Sequence, residues 1–466
     1  MKDSFQSEIE NAVSFFSSLE KGPVRLISHH DADGICSAAL MVILLNKLDI
    51  SYSISIVPSL KKSFIDSLSR ENYETFIFTD VGATQINEIS ENLADKNVLI
   101  LDHHQTTLKE KGRIVHVNPN KNGGYNNDIS GAGVVYNFAY NVTPEIKRYG
   151  HLPIIGAIGD CQERNGFNGR NKELLESAEK EGTMRVYESL RLFGAKTKPL
   201  TKLLKQNYDP YIAGVSGSFR GTVKFLQELG IEHRVNNKQK MLDDLSAGER
   251  ERLIKALENK LPKNKGITGK VYTIPNERGA FADAREFSTI LNSCGRMEEA
   301  TTGLAACLGD NKMKAKAEEV LKSYKRELQA IIDWFRENRN SEDIREGSNY
   351  IIINTKDRTL SSIAGTFASM ISFSNYIEKG TLILTMSRSD DNTTKASLRM
   401  AGGTHNTKTN LNEIMRKIIN STGGEFGGHA NAAGANIEIS KEKKFIEEAE
   451  RVFEEEGIME KIVSHE

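Results

Sequence analysis

Over the first 160 residues, short apolar runs alternate with stretches of helical period. VRLISHH (24–30), SYSISIVP (51–58), TFIFTD (75–80), NVLILDHH (97–104) and IVHVNP (114–119) each read as a strand. Helical sequence follows the first as far as Leu48 and the second to Arg70, and occupies 84–93. Strands alternating with helices predict an α/β fold built on a doubly wound parallel sheet. After a Gly/Asn-rich loop (NKNGGYNN), Ser130 is the expected N-cap of a helix running through VVYNFAY.

From 165 to 310 the pattern turns mostly helical and polar, with GKVYTIPNE (269–277) as one strand-like interruption. Val320, Leu321, Tyr324, Leu328, Ile331, Ile332 and Phe335 then mark one face of a long helix from Lys312 to Arg339. It carries the single tryptophan, Trp334, which reads as packing, and the helix reads as an interdomain connector. After Arg345 the alternation resumes in NYIIINT, LSSIAGTFASMIS, GTLILTMSR and KASLRM, and a charged helix near 441–456 closes it. The expected divisions are 1–195, a helical middle region 196–310, a connector 311–345, and a smaller C-terminal α/β domain 346–466.

Composition narrows the class. The 466 residues balance 62 Lys and Arg against 63 Asp and Glu, which excludes a uniformly basic or acidic protein. The balance is uneven along the chain: 196–270 holds 16 basic and 8 acidic residues, a candidate guide for a nucleic-acid strand or dock for an acidic partner. Four cysteines (36, 161, 294, 307) form no CxxC pair and suit a reducing, cytoplasmic setting. The longest apolar run, Ile35–Leu45, is far short of the roughly 20 residues of a membrane span, so no membrane is expected as a partner.

The strand ends carry the chemistry. His29, Asp31 and Asp33 follow VRLIS, Asp80 follows TFIFT, and Asp102, His103 and His104 follow NVLIL. Asp160, after the apolar IIGAIG, is placed at an equivalent position. Ligands of open α/β sheets bind beyond the carboxyl ends of strands, so these groups are expected to meet in one crevice. Converging carboxylates repel unless cations bridge them, and two divalent metals sharing an Asp solve that. Oxygen and imidazole donors without thiolates suit Mn²⁺ first and Mg²⁺ second. There is no GxSxG elbow and no GxxxxGK[ST] loop. A second constellation, GGEFGGHANAAGA, offers Gly427, Gly428 and His429 to phosphate oxygens, and its run ANAAGA is expected to pack as a helix. Arg399, at a strand end upstream, is a candidate phosphate clamp, whereas His405 reads as a solvated loop histidine.

Together these residues make the chain resemble the DHH phosphoesterase superfamily. The motifs are HxDxDG (His29, Asp31, Asp33, Gly34), the lone Asp80, DHH (Asp102, His103, His104) and GDxQ (Asp160, Gln162). GGHxxAAG (Gly427, Gly428, His429, Ala432, Ala433, Gly434) resembles the DHH-associated domain. LNSCGRMEEAT (291–301) is similar to a segment of RecJ, and NYDPYIAGVSG, KFLQELGI and DAREF are similar to the archaeal RecJ-like lineage, whose members associate with the GINS complex of the replicative helicase. Bacterial RecJ adds an OB-fold that this chain is not expected to hold, and 165–290 is not bacterial in character.

The resemblance implies one metal on His29, Asp31 and a bridging Asp80, and a second on Asp33, Asp80, His103 and Asp160. It implies that Asp102 orients the histidines and that His104 faces the substrate. Arg399, the 427–428 backbone and His429 would meet phosphates, and Asn292 and Arg296 would contact the strand near the scissile nucleotide. The implied activity is metal-dependent exonucleolytic hydrolysis of single-stranded DNA or RNA. Its rivals are a phosphodiesterase for short oligoribonucleotides or cyclic-dinucleotide products, and a helicase-complex scaffold with little activity.

Overall fold

A computed structural model describes residues 4–121, 128–163, 166–207, 212–261, 267–374, 376–403 and 409–463. His405 lies outside them. The chain divides into two compact units, Met1–Leu321 and Lys322–Glu466.

The first unit opens with helix α1 (Ser4–Ser18), followed by β1 (Val24–His29), α2 (Ala32–Lys47), β2 (Tyr52–Val57), α3 (Lys62–Leu68), β3 (Thr75–Thr79), α4 (Ile86–Asn92), β4 (Asn97–Leu101) and β5 (Ile114–Val117). All five strands run parallel in the order β2-β1-β3-β4-β5, as the alternation predicts. The order reverses between β1 and β3, and a cleft opens beyond the strand ends at such a switch point. α2 starts where Asp31, extended at φ −81°, accepts the Gly34 N–H. Its residues 32–45 are all buried, which explains an apolar run with no polar face. It packs against α5 (Gly131–Val142) and α6 (His151–Gly159). Ser130 caps α5 as expected, through Gly133 N–H.

After α7 (Gly169–Lys180) the chain enters a side lobe through β6 (Arg185–Leu190). The lobe contains α8 (Leu200–Lys205), α9 (Phe219–Glu228), the short hairpin β7 (Arg234–Val235) and β8 (Lys238–Gln239), and α10 (Ala247–Lys260). It leaves through β9 (Thr268–Thr273), antiparallel to β6 from Arg185↔Thr273 to Leu190↔Thr268. The sequence pattern shows only the second of these strands; β6 alternates weakly because four of its six side chains are not buried. The lobe has its own core, including Leu203, Leu204, Phe225, Leu226, Leu253 and Leu257. α11 (Ala284–Arg296) and α12 (Ala300–Cys307) return to α2.

Glu286, in the first turn of α11, ties helix to lobe: its carboxylate accepts from Gly194 N–H at 3.0 Å and Thr197 hydroxyl at 3.3 Å. Burial, then Asp283, pushes its pKa up to about 7 from 4.5. Between those values the unfolded chain has lost the proton that the fold retains. This group's contribution is therefore full below about pH 4.5 and is lost as pH rises through 7. Relative to wild type, Glu286→Gln should gain up to about 3 kcal/mol in urea-unfolding stability between pH 5 and pH 8. Parallel stability curves for the two proteins would contradict this.

α13 (Asn311–Glu337) spans the division between the units. The second unit continues with β10 (Ile344–Glu346), β11 (Tyr350–Asn354), α14 (Ser361–Ser372), β12 (Leu382–Arg388), β13 (Thr393–Met400), α15 (Leu411–Thr422), β14 (Glu425–His429), β15 (Ala432–Glu438) and α16 (Glu442–Val463). Its mixed sheet runs β10-β11-β12-β13-β15-β14. Ile352 packs toward α15 and α16, and Ile351 and Ile353 toward α13 and α14, so YIIIN is apolar on both faces. Trp334 packs, partly buried, on the latter cluster. The run ANAAGA is not a helix. It begins as the turn after β14 and continues as β15, paired Gly427↔Gly434 and Gly428↔Ala433. Small side chains suit it because both neighbouring strands lie close, not because a helix must.

Candidate metal centre

β1, β3 and β4 are adjacent in the sheet, so the loops after them deliver their acids to one place. Asp160 comes from elsewhere. IIGAIG is the buried helix α6, not a strand, and Asp160 is its C-cap. A short apolar run does not distinguish the two, and burial all round erased the helical period. The negative end of α6 adds to the charge of Asp160 and favours a cation there.

The geometry forms two groups that share Asp80. His29 Nδ1 lies 3.0 Å from Asp31 Oδ2 and 3.7 Å from Asp80 Oδ2. His103 Nε2 lies 3.2 Å from Asp160 Oδ2, 3.4 Å from Asp80 Oδ1 and 3.7 Å from Asp33 Oδ2. Asp80 itself sits at φ 57°, a left-handed conformation held by its N–H donating to Leu101 O at 2.9 Å. Asp33, fully buried, accepts the N–H groups of Gly131 (2.6 Å) and Ala132 (2.9 Å) at the start of α5. A side chain at 131 would place its Cβ 2.5 Å from Asp80 Oδ1, so only glycine admits both carboxylates.

Asp102 holds the DHH loop. Its Oδ1 accepts the N–H of His103 (2.7 Å) and of His104 (3.2 Å) and faces His104 Nδ1 at 2.7 Å; Oδ2 accepts Ala83 N–H at 2.9 Å. Both of its oxygens are engaged by the loop and its neighbour, which fits an orienting part. His104 is half exposed, with Nδ1 4.0 Å from Asp80 Oδ1.

Charge follows position. Burial opposes protonation of His29, but Asp31 and Asp80 hold it well above the usual imidazole range. His103 is raised likewise against burial, by Asp160 and Asp80. Asp102 raises His104 to about 9. Burial, then Asp80 and Asp160, pushes Asp33 up, and burial pushes Asp160 up. Asp31 and Asp102 are held well below the carboxylate range, in spite of burial, by His29 and His104 respectively. These are carboxylates competing for positive charge.

Three atoms test whether a metal fits. His29 Nδ1, Asp80 Oδ1 and His103 Nε2 are buried without a hydrogen-bond partner, and each is a ligand atom of the two groups. Most buried polar atoms are satisfied in folded proteins, so two imidazole nitrogens and a carboxylate oxygen left without partners within these groups fit bound cations. Among the described residues, His29–Asp31–Asp80, Asp33–His103–Asp160 and Asp80–His103–His104 each bring ligand atoms within 4.8 Å of one another.

Of the other expected residues, Asn292 reaches the segment that carries Asp31 and Asp33. Asn292 Oδ1 accepts Ala32 N–H at 3.0 Å, at the start of α2, and Arg296 ends α11, half-buried. In the second unit, Arg399 Nε donates to Ser369 Oγ at 3.1 Å, and its Nη1 donates to Leu398 O at 2.8 Å. Gly427, Gly428 and His429 lie on β14. Sequence reasoning missed His30, whose Nδ1 is 3.1 Å from Gly295 O, and Asn118, whose amide donates to His104 O at 2.8 Å. A doubled histidine and an Asn directly after β5 were the available signals.

Three family descriptions match in order: "DHH family, N-terminal domain" over 23–157, "DHH-CID domain" over 192–270 and "DHHA1 domain" over 348–455. The chain belongs to the DHH superfamily. The DHH domain holds all of the carboxylate–histidine centre except Asp160, the DHH-CID domain lies in the side lobe, and the DHHA1 domain lies in the second unit. An uncharacterized protein of Methanocaldococcus jannaschii is 25% identical over 447 residues, 93% of this chain and 94% of its own. The fold is similar to RecJ of Thermus thermophilus in complex with Mn²⁺, at TM-score 0.57 and 16% identity, over 95% of this chain but only 54% of that one. That RecJ has also been solved with Mg²⁺. CDC45 from Entamoeba histolytica matches at TM-score 0.59 and 14% identity, over 97% of this chain and 98% of that one. The fold is thus RecJ-like, with acidic and histidine groups able to bind metal. No described helix is long and apolar enough to cross a membrane.

Proposed function

We propose that this chain is a metal-dependent exonuclease for single-stranded DNA or RNA, working in replication or repair in the cytoplasm in association with GINS. The observation that carries the reading is the pair of ligand groups sharing Asp80, with three buried ligand atoms lacking hydrogen-bond partners. His29, Asp31 and Asp80 would hold one ion, and Asp33, Asp80, His103 and Asp160 the other, manganese before magnesium. Such ions supply an activated water and positive charge for phosphoryl oxygens.

The protein's own groups do the rest. Gly131 and Ala132 fix the Asp33 carboxylate through their N–H groups, so it is set before substrate arrives. Asp102 accepts from the His104 ring and backbone, which leaves the ring's exposed edge to donate to a phosphate or leaving oxygen. Arg399, the Gly427–Gly428 backbone and His429 are proposed to hold phosphates, and Asn292 and Arg296 to contact the strand near the scissile nucleotide, Asn292 from its place at the start of α2.

The deciding assay incubates the full chain with Mn²⁺ and 5′- or 3′-labelled single strands of about 5 and about 50 nucleotides, beside Asp31→Ala. Both lengths should shorten stepwise with wild type and neither with the variant. Cleavage of the short strand alone would favour an oligonucleotide phosphodiesterase. The CDC45-like fold supports a second reading, a scaffold with little activity. GINS binding without metal-dependent cleavage would favour it.

A further inference from the structure

The positive surplus of 196–270 has a definite place. Three of the lobe's acids are spent locally: Asp243 on Lys196 at 2.7 Å, Glu249 on Lys240 at 2.7 Å and Glu251 on Lys255 at 2.8 Å. Lys202, Lys205 and Arg220 have no ion-pair partner among the described residues. These three lie at one junction. α8 carries Lys202 and Lys205, and α9 packs against it and begins with Phe219 and Arg220. The Lys205 carbonyl accepts Gly217 N–H at 2.8 Å, which fixes the end of α8 beside the start of α9. Next to Arg220, Phe219 is 52% exposed, although the lobe buries Phe225 only two turns along the same helix. An exposed aromatic ring at a junction that carries three cations without ion-pair partners matches what a single strand offers, bases to stack and phosphates to bind. An acidic protein face would use the cations but has no particular need of a flat ring.

We infer that the α8–α9 junction of the DHH-CID lobe is a single-strand docking surface, with Phe219 stacking a base and Lys202, Lys205 and Arg220 contacting phosphates. The inference rests on the nuclease reading for its purpose, giving a long strand a second hold outside the metal centre. Its test is independent of cleavage. Binding of a fluorescent strand of about 50 nucleotides is followed by anisotropy in EDTA, across a salt series.

The triple variant Lys202→Glu, Lys205→Glu, Arg220→Glu should bind about tenfold or more weakly. Its dependence of log K on log salt should be shallower by about 2, near 0.7 for each phosphate that is no longer neutralised. Phe219→Ala should weaken binding about tenfold on a strand with bases, and leave an abasic strand of the same length unaffected. A charge-matched triple at Lys111, Lys172 and Lys312 should bind as wild type, and unchanged melting temperatures exclude unfolding. Wild-type affinity and salt slope in the junction variant overturn the inference. So does an equal loss in the charge-matched control, or capture of polyglutamate by the patch with strand binding untouched. Failure of the nuclease reading shows separately, as intact labelled strands in Mn²⁺.

Discussion

Asp80→Asn is expected to lower metal-dependent cleavage about a thousandfold or more and to erase the rise in melting temperature that Mn²⁺ gives wild type. The substitution is nearly isosteric. Asparagine tolerates the left-handed φ of 57° that position 80 requires, so the loop after β3 should keep its path. Only the charge is lost, and it is lost from both groups at once. Asp80 Oδ2 faces His29 at 3.7 Å, and Oδ1 faces His103 at 3.4 Å. Asp31→Asn, which touches one group only, should retain a reduced Mn²⁺ stabilisation. If Asp80→Asn keeps both the thermal shift and the turnover, Asp80 is not a bridge and the two-ion reading fails.

Gly295→Ala should be the most damaging single-methyl change in the first unit. A Cβ there would stand 1.8 Å from the His30 carbonyl oxygen, far inside contact distance, and the obstacle is backbone. α11 would have to lift from the loop between β1 and α2. That breaks the 3.1 Å contact from His30 to Gly295 O and the Asn292 cap on Ala32. We expect a loss of about 3 kcal/mol or more in urea unfolding. Where folded protein is recovered, a shift of about 1 Å at His29 should cost roughly a hundredfold in turnover. Wild-type stability in this variant would mean that α11 does not press on the strand end.

The parts of this architecture that were legible in the sequence share one property. Each of β1, β3 and β4 ends abruptly in charge, and the sheet makes them neighbours, so a local signal and a topological rule agreed. The misreadings came where burial removed the local signal. IIGAIG is apolar on every side and reads equally as strand or helix, and ANAAGA is small enough for either. β6 was invisible because its partner β9 lies far away in sequence and their pairing buries little of its face. Asn292 shows another limit. Its motif drew attention to it, but a side chain's partner is set in space, and here the structure gives it the backbone of Ala32.

The side lobe leaves and rejoins its unit on paired strands, with Leu190 opposite Thr268. Its two ends are thus held side by side by the sheet, whatever lies between them. A segment tethered in this way can be lengthened, exchanged or shortened to a tight turn while the strands that flank it keep their register. Its surface is therefore free to diverge at a different pace from the acids and histidines, whose positions depend on one another.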